Sequence, residues 1–399
     1  MKQKLLSTSA IALAVGAALP ATAQEWDMDW GGFHTAHVAY VDVDTNTPNH
    51  AGADFDGVDI YTEAEIHFTP SVTLDNGMTF GINVQMESTN NGGGAVGIDE
   101  TFLSVSSDTL GRIDIGNENS AGYKMTVSAP QVDGSIWINS PSLSGFIPLS
   151  IGAGGNSPWV FRDVGISAWA EVLGNNDVPR ITYYTPSFNG LTVGVSYAAT
   201  VNSVASAAVV GGGNNAGNSF GVDRNIGVTD VFDVAVAYSQ SFNGFDVDLS
   251  ARYGTADSNV AGTGDPEVYV FGASVGYAGF TFGGSYGENK NGGLRTFNSE
   301  GWALGATYDL AGPWTFGVDT YQGEYNGVNG TNDQSEFEAY QIIANRTLGQ
   351  GVSWSVYGVY AETSVNGDAG GTFSTLAGSA LANTEVEGYL IGTSINLTF

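Results

Sequence analysis

The stretch FDVDLSARY, residues 245–253, alternates without interruption. Phe245, Val247, Leu249, Ala251 and Tyr253 fall on one face of a strand, and Asp246, Asp248, Ser250 and Arg252 on the other. One face is wholly apolar and the other carries two carboxylates and a guanidinium. Such a strand packs its apolar face on a protein core or lays it against lipid, and periodicity alone does not choose between them.

The same kind of phrase recurs along the chain. GMTFGINV begins at Gly77, GLTVGVSY at Gly190, GFDVDLSA at Gly244 and GFTFGGSY at Gly279. PWTFGVDT at Pro313 and GVSWSVYG at Gly351 are close variants. A second alternating segment precedes each one. Two of the connections are the same tetrapeptide, SFNG, at residues 187–190 and 241–244. Asn-Gly between alternating segments is a strong hairpin signal, because both central positions of the turn need positive φ.

Extending the pattern places sixteen strands, near residues 28–43, 58–73, 78–88, 99–106, 111–117, 179–186, 191–198, 230–240, 245–253, 267–277, 280–288, 299–309, 314–323, 335–348, 352–362 and 385–399. Their connections alternate between short and long. The long ones are rich in Gly, Asn, Asp and Thr and fall near 44–57, 89–98, 118–178, 199–229, 254–266, 289–298, 324–334 and 363–384. A β-sandwich has no reason to gather every long loop at one end. An antiparallel barrel fixed across a membrane does. The expected fold is therefore all-β, a 16-stranded antiparallel transmembrane β-barrel with short periplasmic turns and long extracellular loops. A ring of that size encloses water, so the apolar face of 245–253 looks outward at lipid.

The bulk properties agree. Lys2 and Lys4, the apolar run at 5–19 and Ala21-Thr22-Ala23 read as a cleavable signal peptide over residues 1–23, followed by one barrel domain over 24–399. There is no cysteine, so an exported chain of this length must hold itself together by its backbone network and packing. Removing Lys2 and Lys4 takes the formal charge from −30 to −32, which argues against a nucleic-acid partner. Charged residues are only 13% while aromatics reach 12%, which fits neither an ordinary soluble domain nor a disordered one.

A barrel predicts where charge falls, since Arg or Lys on the lipid face at mid-bilayer costs about 2–4 kcal/mol. Arg112 shares a face with Asp114, Arg180 with Thr182, and Arg252 with Asp246 and Asp248, all lumenal by parity. Arg346 has the parity of the apolar face and needs an interfacial position or a bulge. Aromatic belts are expected at both interfaces. Trp30, Phe80, Phe245, Phe280, Trp314 and Trp354 fall at turn ends, and Tyr40, Tyr197, Tyr253, Tyr277 and Tyr286 at loop ends.

With the signal peptide, the hairpins and the ending YLIGTSINLTF, the chain resembles a Gram-negative general porin of the alphaproteobacterial type. The terminal Phe399 resembles the signal read by the outer-membrane assembly machinery. GRIDIGNENSAGYKM, from Gly111 to Met125, resembles the porin pattern in which the fifth strand leads into a loop folded inside the barrel. The resemblance implies a homotrimer, passive diffusion of small hydrophilic solutes and ions, and a constriction formed by the third long loop, here 118–178. That loop carries Glu118, Asp133, Asp163, Glu171 and Asp177, which would face Arg112, Arg180 and Arg252 across the channel. The loop is longer than the family leads one to expect, leaving room for a helix near 163–173 or an extra hairpin.

Other chemistry has weaker support. Glu63 and Glu65, like Asp246 and Asp248, are paired carboxylates, but same-strand neighbours read most simply as pore lining, so no enzyme is expected. His34 and His37 fall on opposite faces of a strand and cannot share a metal, while His37 and His67 are lumenal on adjacent strands. Asp42, Asp44, Asp54 and Asp56 crowd the first long loop, which reads as a calcium site, as divalent bridges to lipopolysaccharide or as a solvated acidic loop. Net acidity points to a cation-preferring channel. The alternatives are a substrate-specific channel for a sugar or nutrient, with Tyr321, Tyr357 and Trp159 as a stacking track, and a secreted β-rich adhesin or hydrolase.

Overall fold

The computed structural model describes residues 25–47, 50–89, 97–138, 143, 145–149, 171–201, 222, 224–294, 297–327, 334–366 and 384–399. The expected signal peptide, Asp163, Trp159 and most of the expected 163–173 helix lie outside them.

The strands are β1 (Trp30–Thr45), β2 (Gly57–Phe68), β3 (Ser71–Thr73), β4 (Thr79–Glu87), β5 (Ile98–Ser107), β6 (Gly111–Glu118), β7 (Val178–Tyr184), β8 (Leu191–Thr200) and β9 (Val228–Phe242). The second half holds β10 (Phe245–Ser258), β11 (Glu267–Tyr277), β12 (Phe280–Lys290), β13 (Phe297–Asp309), β14 (Trp314–Gly327), β15 (Gln334–Gly349), β16 (Val352–Asn366) and β17 (Thr384–Thr398). Each pairs antiparallel with its neighbour, and β1 closes the ring on β17 with Val41 opposite Leu390. β2 and β3 both pair with β4. They form one stave broken at Pro70, which has no N–H for the ladder. Sixteen staves therefore close the barrel. The eighteen-stranded alternative fails, because β6 pairs directly with β7 and leaves no room between them.

The tight turns lie at one end. Asn189-Gly190, Asn243-Gly244 and Ala278-Gly279 all have positive φ at both positions, 49° and 85°, 48° and 85°, and 51° and 85°. This mirror-image turn matches the right-handed strand twist, and even alanine is held in it between β11 and β12.

The opening stretch now resolves. On β10, Phe245, Leu249 and Tyr253 are exposed on the outer wall while Arg252 is buried inside. The same holds round the ring: Ile60, Phe282, Leu304, Ile342 and Ile391 all stand exposed. A wall of bare aliphatic and aromatic groups is tolerable where the solvent is hydrocarbon. Arg346 sits on this wall opposite Trp314, its guanidinium 5.6 Å from the indole centre, beside a register shift at Thr347 and Gly349. Both expected rescues are thus present, an interfacial position and a bulge. One belt assignment is corrected: Tyr277 stacks on Phe245 with centroids 4.2 Å apart, at the turn end, because β11 runs on to the tight turn at Ala278.

Candidate functional site

Between β6 and β7 the chain leaves the wall and crosses the lumen. It begins in a single helical turn, α1 (Ala121–Lys124), whose N-cap Ser120 accepts from the Tyr123 N–H. Three successive backbone N–H groups at this start point at lumenal side chains. Ser120 donates to Glu171 (2.8 Å), Ala121 to Ser196 Oγ on β8 (2.7 Å) and Gly122 to Asp233 on β9 (2.6 Å).

Two arginines complete this polar seat. Arg252 on β10 pairs with Asp233 and with Glu171 (3.3 Å). Arg180 on β7 donates to the carbonyls of Glu118 and Asn175, each at 2.6 Å, so it clasps both ends of the loop. The guanidiniums are 1% exposed, which puts them under the loop and out of reach of pore water. The sequence placed Arg180 and Arg252 on the channel surface; the correction is that fixed backbone donors and carboxylates around them replace water. A neighbouring group surrounds the loop root. Lys124 pairs with Glu118 (2.8 Å) and Glu100 (3.6 Å), and its ammonium stands 4.4 Å from the Phe102 ring centre. Arg112 pairs with buried Asp114 (2.7 Å) while remaining half exposed.

From α1 the loop follows the inner wall. Val127 N–H donates to Ser250 on β10, and Ser128 bonds Ser285 on β12 (both 2.8 Å). Gln341 on β15 both accepts from and donates to the Ile136 backbone. Asn345 and Ser355 donate to the Asp133 carbonyl, each at 2.8 Å. Glycine makes this path possible. A Cβ on Gly283 would come 2.8 Å from the Ser128 carbonyl oxygen, on Gly305 3.1 Å from Ala129, on Gly317 2.6 Å from Val132 and on Gly388 2.9 Å from Ile147. Gly272 likewise meets the Val127 carbonyl.

The far side is an apolar seat. Ile136, Ile138, Leu143, Phe146, Ile147 and Leu149 pack on Tyr321, Phe337, Ile343, Tyr357, Val359, Val386 and Leu390 of the lumenal wall. His37 is buried there, its Nδ1 2.9 Å from the Tyr357 hydroxyl. Tyr321 and Tyr357, expected as a stacking track, lie beneath the loop in this patch.

The remaining sequence candidates are scattered. Asp133 is exposed on the loop's channel side. Asp246 and Asp248 face the lumen near the turn end of β10, with Ser241 bonded to Asp246. Glu63 and Glu65 face inward on β2, and Glu65 holds His67 at 3.2 Å. His37 and His67 do not meet, since His37 pairs across to Tyr61 while His67 faces Gly31. In the first long loop Asp56 accepts from Val43 N–H and Asp54 from Asp56 N–H, so these carboxylates cap backbone. Among the described residues, the group that brings three carboxylates within coordinating reach is Glu362, Glu385 and Glu387. Sequence reasoning missed Asp233, Glu100, Lys124 and the glycine path. The signal available was that Asp233 is the one acid facing inward from β9, beside the strand bearing Arg252.

No curated protein sequence matches the chain. Among solved structures it resembles an anion-selective porin from Comamonas acidovorans at 17% identity and a TM-score of 0.54, covering 94% of this chain and 100% of that one. It also resembles OmpF of Salmonella typhi, solved with daunomycin, at 14% identity and a TM-score of 0.57, over 94% and 98% of the two chains. OmpT of Vibrio cholerae, described as a trimer form, aligns at 9% identity and a TM-score of 0.56, over 94% and 99%. These identities establish the fold alone. Residues 8–368 match the Gram-negative porin family, so the chain belongs to that family and is an outer-membrane β-barrel channel.

Proposed function

We propose that this porin passes small hydrophilic solutes passively, prefers cations, and works as a homotrimer in contact with lipopolysaccharide. Selectivity rests on one observation. Among the described residues, each lumenal base is neutralised: Arg252 by Asp233 and Glu171, Lys124 by Glu118 and Glu100, Arg112 by Asp114. Arg180 is sealed beneath the loop. Among the described residues Asp133, Asp246 and Asp248 face channel water with no basic partner, so the surplus charge they present to a passing ion is negative. Rings of carboxylates select cations in this way.

In planar bilayers under a tenfold potassium chloride gradient, the zero-current potential is expected to carry the sign of a cation-selective pore. Asp133→Asn is expected to move it toward zero. An anionic sign in the wild type refutes the charge argument.

The trimer reading is supported by a gap in the outer belt. At the loop end Tyr40, Tyr197, Tyr253, Tyr286, Tyr340, Tyr360 and Tyr389 stand on the outer wall, whereas β2 to β6 carry no tyrosine on that wall, which shows Val58 and Ile60 near the loop end and Ile82, Leu103 and Ile115 at mid-strand. A wall without interfacial tyrosines is suited to protein contact. Sedimentation of the detergent-solubilised protein as a monomer excludes it. At the barrel seam Phe399 stays exposed while its backbone exchanges 3.1 Å bonds with Gly32, which leaves the aromatic end available to the assembly machinery.

A further inference from the structure

Asp133 sits at the corner of a tight turn in the crossing loop, residues 132–135, closed by the Ser135 N–H on the Val132 carbonyl at 3.0 Å. Gly134 takes its third position with φ 71°, the left-handed conformation that a type II turn demands there. Val132 and Ser135 are buried, whereas Asp133 is exposed.

The wall holds both corner carbonyls. Asn345 Nδ2 and Ser355 Oγ donate to the Asp133 carbonyl, each at 2.8 Å, and Ser394 Oγ donates to the Gly134 carbonyl at 3.1 Å. These donors are themselves braced. The Asn345 amide reaches Ser353 at 2.9 Å and Ser355 at 2.8 Å, and the Asn396 amide reaches the same two hydroxyls at 3.1 Å and 3.3 Å. Strand register makes them one patch on β15, β16 and β17, with Asn345 opposite Ser355, Ser355 opposite Ser394 and Ser353 opposite Asn396. All five are at most 8% exposed. A Cβ on Gly134 would fall on the Asn396 amide, so the turn lies directly on the patch.

This patch differs in kind from the polar root. There, arginines hold the loop and their carboxylate partners lose their charge to them. Here every donor is a neutral amide or hydroxyl, and its bond goes to backbone. An arginine in the same place would hold the turn but cancel the acid. We propose that Asn345 and Ser355, braced by Ser353 and Asn396, are positioning residues for ion selectivity, resting on the reading above that Asp133 biases the channel toward cations. They fix the turn by its backbone and leave the carboxylate charged at one place in the lumen. The pull of a carboxylate on a passing ion falls with distance, so an acid on a loosened turn selects less than a fixed one.

The test is a double-mutant cycle read as the zero-current potential in planar bilayers under a potassium chloride gradient. Asn345→Ala and Ser355→Ala are each expected to lower the cation-to-anion permeability ratio by roughly twofold, the scale on which a water-screened charge acts when it moves off contact distance. Asp133→Asn is expected to lower it further. In the Asp133→Asn background the same two wall substitutions are expected to change the ratio no more. Gly134→Ala attacks the contact from the loop side and is expected to reproduce the wall variants, which keeps the test decisive where one of them does not assemble. Thermal unfolding is followed alongside, since a purely structural role would lower stability and leave the ratio alone.

An unchanged ratio in the assembled wall and Gly134→Ala channels overturns the positioning role. So does an equal fall with and without the Asp133 carboxylate. A wild type without cation preference, or a silent Asp133→Asn, overturns the selectivity reading and takes the positioning role with it.

Discussion

The two seats of the crossing loop are built on opposite principles. On the side of β7 to β10, Arg180, Arg252, Asp233 and Glu171 bind the loop through charge and directed hydrogen bonds. On the side of β14 to β17, Phe146, Ile147 and Leu149 bind through packing on Tyr321, Phe337 and Leu390. Directed bonds fix a register but repay desolvation only when every partner is in place. Packing tolerates small shifts and scales with the area removed from water. The loop is therefore located by its polar root and pressed down by its apolar far end.

The largest way to break this contrast is Arg252→Met. Methionine fills similar space, but Asp233 is left buried without its cation and Glu171 keeps only Arg180, at 4.0 Å. Breaking a buried pair in this fashion costs about 3–5 kcal/mol. A fall in thermal unfolding temperature and a rise in open-channel current noise are expected. The double variant Arg252→Met with Asp233→Leu is expected to recover part of the loss, because it removes an uncompensated charge. No recovery would mean that the pair acts only through geometry.

Ile147→Ala probes the apolar seat. Ile147 is fully buried against Gly388, and truncating such a side chain costs about 2–5 kcal/mol depending on how far the site collapses. Stability is expected to fall, but the channel noise should change less than in Arg252→Met, since the polar root still holds the register. Equal noise in the two variants would erase the distinction between the seats.

Much of the barrel was legible in the sequence because lipid and water divide a strand by parity, and Phe245, Leu249 and Arg252 obey that division residue by residue. The Asn-Gly turns were legible because positive φ is a local demand. The loop seat was far less so. Arg252 meets Ser120 and Glu171 across sequence separations of 132 and 81 residues, and no local pattern encodes such a meeting. Parity does say that Arg252 faces inward, but it does not say whether water or another segment covers it there. Tyr321 and Tyr357 misled for the same reason, being inward yet covered. The glycine path was in plain view in GFTFGGSY and PWTFGVDT, where Gly283 and Gly317 sit on the inward face between Thr281 and Ser285 and between Thr315 and Asp319. A glycine inside a strand signals close approach of another backbone, and here that backbone is the loop.

That point gives the smallest and most specific effect. Gly317 faces inward on β14, where a Cβ would lie 2.6 Å from Val132 and 3.1 Å from Ile343. In Gly317→Val the wall cannot yield, because β14 is bonded on both sides to β13 and β15. The loop must rise into the lumen, at a cost of about 1–3 kcal/mol for an overpacked site. A lower single-channel conductance is expected, with a modest loss of stability. Gly349 sits at the β15 end with nothing within 4 Å of its Cβ position, so Gly349→Ala serves as the control and is expected to leave conductance unchanged. If Gly317→Val conducts as the wild type does, the loop is held off the wall by something other than its contact with these glycines.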